Sequence, residues 1–236
     1  MKLFIIRHGD PDYANDTLTE RGRREAALLC KRLLGENITK VYCSPLGRAR
    51  ATAAPFLEAT GLPCEIRDWM QEFPYGVTQP LAKHRIAESD RRTCCWDIDP
   101  RYFEIYRAEL SDPVRWREHE MYKDGRVPEG VDRVYRGLDE LLAENGYRRR
   151  GILYEVDERA DKNANIALFC HMGLGTLLLS RFAHVSPPLA WQMFRVMPTS
   201  VTTVVFYDIG HNRAQTKIFT VGDVTHLAPI GLTYRG

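Results

Sequence analysis

Two short apolar runs in this chain end in a histidine. Leu3-Phe4-Ile5-Ile6 leads into Arg7-His8-Gly9, and Leu168-Phe169-Cys170 leads into His171-Met172-Gly173. Arg48 follows Ser44-Pro45 by three residues, and Glu72 precedes Phe73-Pro74-Tyr75-Gly76. Near neutral pH an imidazole is a nucleophile or an acid–base group, and a guanidinium holds two oxygens of an anion at once. Brought together, Arg7, Arg48, His8 and His171 would make an anion pocket. A helix beginning at Met172 would add backbone donors and a positive dipole end, with Gly173 and Gly175 permitting close approach. Taken singly these signals are weak. A histidine after an apolar strand is ordinarily structural, a lone helical arginine is ordinarily solvated, and Glu72 by itself reads as a loop carboxylate.

The elements around these residues explain how they could meet. Residues 2–6 read as a buried strand, and a helix follows from Thr17 or Thr19, with Glu20 placed as in a capping box and Ala26, Leu29, Cys30 and Leu33 at helical spacing. Residues 40–43 form a second strand. Ser44-Pro45 then opens a helix with apolar face Ala49, Ala53, Phe56 and Leu57, ending near Gly61. Residues 64–67 are extended. Further strands are expected at 151–156, 166–170, 201–207 and 214–221, with helices at about 131–142, after Met172 and after Pro187-Pro188. Strand alternating with helix predicts an α/β fold, a three-layer α/β/α sandwich with a mostly parallel central sheet, in a single domain spanning 1–236. Arg7-His8, Arg48 and His171 then fall at strand-to-helix junctions on one sheet edge, where open parallel sheets place their ligand crevice. The stretch 80–128 breaks the pattern and reads as an inserted, mainly helical cap. Its Trp96, Trp116 and tyrosines are expected chiefly to form a small core of its own, with one or two at the mouth of the pocket.

Four motifs in order resemble the histidine phosphatase superfamily, of phosphoglycerate mutase-like fold. They are Leu3-Phe4-Ile5-Ile6-Arg7-His8-Gly9 with Leu18-Thr19-Glu20-Arg21-Gly22; Ser44-Pro45-Leu46-Gly47-Arg48-Ala49-Arg50-Ala51-Thr52-Ala53; Glu72-Phe73-Pro74-Tyr75-Gly76; and Phe169-Cys170-His171-Met172-Gly173. The resemblance implies that His8 is the nucleophile, forming a phosphohistidine, and that Arg7, Arg48 and His171 hold the phosphoryl oxygens, with Met172 at the same site. It implies Glu72 as the group that protonates the leaving oxygen and then activates water. The expected activity is metal-independent hydrolysis of a small phosphomonoester, with no cofactor and no metal ligand set. A phosphoglycerate mutase-type phosphoryl transferase is the alternative, and a non-catalytic phosphoprotein-binding module a third reading. Two departures turn the reading from mutase towards phosphatase. Ala14 stands where the mutase branch carries an Asn, with Asn15 beside it, and the loop after Gly9 is short. Met172 also replaces a frequent glycine. Arg91-Arg92 resemble a substrate-contacting pair of mutases, but read as surface charge.

Composition narrows the partners. Lys plus Arg number 33 against 31 Asp plus Glu, a net charge of +2, and 44% of residues are hydrophobic. That suits a globular domain with a full core and excludes a disordered or fibrous chain. Such a balance argues against a nucleic-acid or membrane-surface partner; the small phosphorylated metabolite is the partner that the resemblance implies. A homodimer stays open. Arg148-Arg149-Arg150 read as a solvated cluster after a helix end, and His84, His119, His184, His211 and His226 as surface or packing residues. The six cysteines include no Cys-x-x-Cys pair, so neither a zinc cluster nor a disulfide framework is expected. The first apolar run is too short for a signal-peptide core, and the cytoplasm is the expected compartment.

Overall fold

The computed structural model describes residues 1–79, 92–123 and 126–232. The first part of the expected cap, including His84 and Arg91, lies outside them. In chain order the elements are β1 (Lys2–Arg7), β2 (Pro11–Asp12), β3 (Thr17–Leu18), α1 (Glu20–Leu33), β4 (Lys40–Cys43), α2 (Gly47–Thr60), β5 (Cys64–Ile66) and β6 (Gly76–Thr78). Then come β7 (Arg92–Cys94), α3 (Pro100–Ile105), α4 (Arg107–Leu110), α5 (Arg126–Glu144), β8 (Tyr147–Arg150) and β9 (Leu153–Val156). The chain closes with β10 (Asn165–Cys170), α6 (Met172–Ala183), α7 (Pro187–Met193), β11 (Val201–Asp208) and β12 (Arg213–Asp223).

Eight strands form one mixed sheet in the order β5-β4-β10-β1-β11-β12-β9-β8. From β5 to β1 the neighbours are parallel, as the alternation of strand and helix predicts. From β1 to β8 they are antiparallel. Period-2 alternation sorts the central strands onto two cores. Leu3 and Ile5 with Ile166 and Leu168 face Val131, Val134 and Leu138 of α5 and Leu174, Leu177 and Phe182 of α6. Phe4 and Ile6 with Ala167 and Phe169 face Leu29 and Leu33 of α1 and Ala49, Ala53 and Phe56 of α2. The result is the expected three-layer α/β/α sandwich.

Of the two caps offered for α1 the structure takes one, and the cap expected for α2 is displaced. Thr19, not Thr17, caps α1, its hydroxyl oxygen accepting from the Gly22 N–H at 3.0 Å. Thr17 pairs instead with Asp12 in the β2–β3 hairpin. Ser44 does not cap α2, which starts two residues later than expected, at Gly47.

Arg148-Arg149-Arg150 belong to the edge strand β8 rather than a solvated helix end. Arg149 reaches Asp139 of α5 at 2.7 Å and lies over Tyr154, its guanidinium carbon 4.7 Å from the ring centroid. Strand pairing thus overrides the run of charge.

The described part of the insertion is helical, as expected, apart from the β6–β7 pair. Its aromatics do not make a core of their own. Trp116, Tyr102 and Tyr122 are fully buried and belong to the same core as α5 and α6. Trp116→Ala should therefore destabilise the whole protein, by about 3–5 kcal/mol, in one cooperative denaturant transition. A separate early transition for the insertion would contradict this packing.

Candidate functional site

The site is assembled by the pairing of β1 with β10. Arg7 lies opposite Cys170 in register, and the His8 N–H donates to the Cys170 carbonyl at 3.0 Å. His8 and His171, distant in sequence, thereby come to stand with ring centroids 5.2 Å apart. On the other flank, the Arg7 N–H donates to the Ser200 carbonyl and the Thr199 N–H to the His8 carbonyl, at 3.2 and 3.1 Å. Gly9 N–H completes the fastening on the Thr52 hydroxyl, at 2.9 Å. The nucleophile candidate is held along its whole backbone.

The side chains are fixed equally closely. His8 Nδ1 lies 2.7 Å from the Gly9 carbonyl, which can only accept, so Nδ1 carries the hydrogen and Nε2 keeps its lone pair. Burial, reinforced by Arg7, pushes the His8 pKa down to about 3. His171 is fully buried, its pKa pushed to about 2 by burial and by His8 and Arg48. Its Nε2 lies 2.7 Å from the Ser44 hydroxyl, whose oxygen accepts from the Leu46 N–H at 3.2 Å. With the Ser44 hydroxyl donating to Nε2, the hydrogen of His171 sits on Nδ1.

Arg7 donates through Nη1 to the Val196 carbonyl at 2.8 Å, and Arg48 through Nη1 to Asp16 at 2.7 Å. The remaining donors are the informative ones. Arg7 Nε, Arg48 Nε and His171 Nδ1 are buried with no partner among the described residues. The backbone of Met172, first residue of α6, likewise has no acceptor there.

Glu72 sits against the N-terminus of α6. One carboxylate oxygen accepts from the N–H groups of Phe73 (2.8 Å) and Leu174 (2.9 Å), the other from Gly173 at 3.2 Å. Its removal from water raises the carboxyl pKa above the usual range, against the downward pull of these N–H groups and of Arg7. Trp96 of the insertion packs so closely on Gly173 that a Cβ there would lie 2.1 Å from the indole ring. The insertion does place an aromatic beside the site.

All six residues singled out from sequence thus gather at one sheet edge. Four supporting residues were not assigned site roles. Asp16 carries no distinctive spacing, Thr52 stands in the second motif without a role of its own, and Ser44 reads as a cap. Thr199 is a buried β-branched residue at φ 54°, a strained conformation that composition does not announce. His226, presumed a surface or packing residue, bonds the Thr199 hydroxyl at 3.1 Å, with its own pKa lowered to about 4 by burial and Arg32. Arg92 is exposed on β7, as expected for surface charge. Among the described residues no group of three or more His, Cys, Asp or Glu could hold a metal ion, and no helix is long and apolar enough to cross a membrane.

The sequence profile of the histidine phosphatase superfamily (branch 1) matches residues 3–124, and the chain belongs to that family. Along 96% of its length it is 24% identical to a probable phosphoglycerate mutase GpmB of Yersinia enterocolitica, covering 95% of that protein. Over a shorter stretch, 32% of the chain and 41% of the relative, it is 38% identical to a probable phosphatase of Schizosaccharomyces pombe. A phosphoserine phosphatase from Entamoeba histolytica, a mutant bound to phosphoserine, superposes with a TM-score of 0.61 at 18% identity, over 96% of this chain and 98% of that one. A mycobacterial glucosyl-3-phosphoglycerate phosphatase gives 0.61 at 18%, over 94% and 98%. The likeness to these structures establishes the fold. Family membership, with relatives named phosphatase and mutase, supports a phosphatase-type enzyme.

The buried neutral imidazoles link stability to pH. In the unfolded chain each takes up a proton near pH 6.5, but in the fold only at far lower pH, so the unfolded state binds more protons in between. Stability must therefore fall as pH drops from about 6.5 towards 4.5. In phosphate-free buffer His8→Asn should flatten that slope by up to about 1.4 kcal/mol per pH unit. An unchanged slope in denaturant titrations would show that His8 is not held neutral.

Proposed function

We propose that this protein hydrolyses a small phosphomonoester through a phosphohistidine on His8, without a metal. The observation that carries the reading is the set of donors left unpaired around His8: Arg7 Nε, Arg48 Nε, His171 Nδ1 and the Met172 N–H. Buried polar groups without partners are rare in folded proteins, and this combination of fixed donors suits a tetrahedral oxyanion.

The chemistry follows from the atoms. The phosphoryl oxygens take the free donors of both arginines, His171 and Met172, which neutralise charge as it spreads over them. His8 Nε2 attacks phosphorus, its lone pair forming the P–N bond while the P–O bond to the ester group breaks. Glu72, its carboxyl pKa raised by shelter from water, gives its proton to the departing oxygen. Glu72, now a carboxylate, takes a proton from water, whose oxygen attacks phosphorus. The P–N bond breaks, phosphate leaves and His8 is again neutral.

Two variants test this scheme. His8→Ala should lose all turnover and all acid-labile, base-stable labelling by a radioactive phosphate ester. Glu72→Gln should lower kcat/KM on an alkyl phosphate by about 10²–10⁴-fold. It should lose less on para-nitrophenyl phosphate, whose leaving group departs without protonation. Wild-type activity in His8→Ala would end the proposal, and equal losses on the two esters would remove Glu72 as the acid.

The full-length likeness to proteins named probable phosphoglycerate mutases supports a second reading, phosphoryl transfer between positions of one substrate. Ala14 weighs against it, since its side chain cannot meet the phosphate as the mutase Asn would. A coupled assay decides: conversion of 3- to 2-phosphoglycerate well above phosphate release would favour the mutase.

A further inference from the structure

The β2–β3 hairpin, which joins the nucleophile's strand to α1, carries Asp16 near its tip in the left-handed region, at φ 46°. A non-glycine residue adopts that conformation at some cost, and its surroundings must hold it there. Its carboxylate does the holding, accepting from the Gly47 N–H at 2.6 Å and from Arg48 Nη1 at 2.7 Å. The approach is so close that a Cβ on Gly47 would fall 2.1 Å from the Asp16 carbonyl oxygen. Tyr13, from the same hairpin, lies over Arg48 with its ring centroid 5.5 Å from the guanidinium carbon.

A guanidinium presents donors along edges, and a carboxylate that engages Nη1 leaves the Nε side to another acceptor. In Arg48 that Nε is buried and unpartnered. We propose that Asp16 is a positioning residue, whose grip on Nη1 turns the Nε edge of Arg48 towards the phosphoryl group of the substrate. The proposal rests on the phosphatase reading above and adds to it the group that orients one of its two arginines. Two other roles for the same carboxylate make different predictions. A clasp that only closes the hairpin would change stability and leave phosphate affinity alone. A competitor for Arg48 would weaken phosphate binding, so its removal would strengthen it.

The test is a double-mutant cycle on the full chain, read by inhibition with inorganic phosphate and by hydrolysis of para-nitrophenyl phosphate. Asp16→Ala should raise the phosphate inhibition constant and lower kcat/KM, each by about 10–10²-fold, with KM moving more than kcat. Asp16→Asn, which keeps the shape and one acceptor oxygen, should recover part of the loss and preserves the fold if the alanine variant does not. In an Arg48→Ala background, Asp16→Ala should cost nothing further. Unchanged or tighter phosphate inhibition in both Asp16 variants would overturn the proposal, as would equal losses in the two backgrounds. If the wild-type protein is not inhibited by phosphate, the phosphate-site reading itself fails and this proposal falls with it. That result is distinct from an inhibited wild type with unmoved variants.

Discussion

Parallel pairing of β1 with β10 runs unbroken from Lys2 opposite Asn165 to Arg7 opposite Cys170. Since both strands point the same way, both end at the same edge, and each hands its chain directly to a histidine of the candidate site. The register cannot slip. A shift by one residue would exchange Leu3 and Ile5 with Phe4 and Ile6, sending each pair into the wrong core. The two hydrophobic faces therefore fix the distance between His8 and His171 as firmly as any direct contact. The antiparallel neighbour β11 braces β1 from its other side, and the turn before it supplies the Thr199 and Ser200 contacts that hold Arg7 and His8.

Electrostatics gives the site its readiness for an anion. Burying charge is costly unless it is paired, and histidine escapes the cost by shedding its proton. His8 and His171 do so, which leaves the two guanidinium groups as the principal cations. Arg7 meets the Val196 carbonyl, Tyr13 and, electrostatically, Glu72, and Arg48 meets the half-exposed Asp16. A phosphate ester carries up to two negative charges and would balance the pair. Glu72 is positioned by its neighbour's N–H, Phe73, and by two N–H groups at the start of α6, Gly173 and Leu174, yet its burial leaves it reluctant to ionise. The near-zero net charge of the chain conceals this local concentration.

The central architecture was legible because its signals are physical and local. Apolar runs of strand length, Pro187 at the start of α7, Gly61 at the end of α2, and helical spacing in residues 131–142 each correspond to an observed element. Arg7, His8, Arg48 and His171 could be placed because strand-to-helix junctions in a parallel sheet share an edge, whereas Glu72 and Met172 were placed only by the resemblance of their motifs to the family. What escaped reading depends on long-range partners. Arg149 looks like solvated charge until Asp139 and Tyr154 are found beside it. Trp116 looks like the core of a separate cap until α5 and α6 close over it. Thr199 acts through its backbone, and Asp16 through a hairpin whose conformation no composition rule supplies.

The central claim is that the unpaired donors around His8 converge on a single oxyanion. A crystal structure of the wild-type protein with orthovanadate tests it most directly. One vanadate is expected, with vanadium bonded to His8 Nε2 and its oxygens on Arg7 Nε, Arg48 Nε, His171 Nδ1 and the Met172 N–H. Vanadate bound away from His8, or bound there with the arginine Nε groups still unpaired, would contradict it.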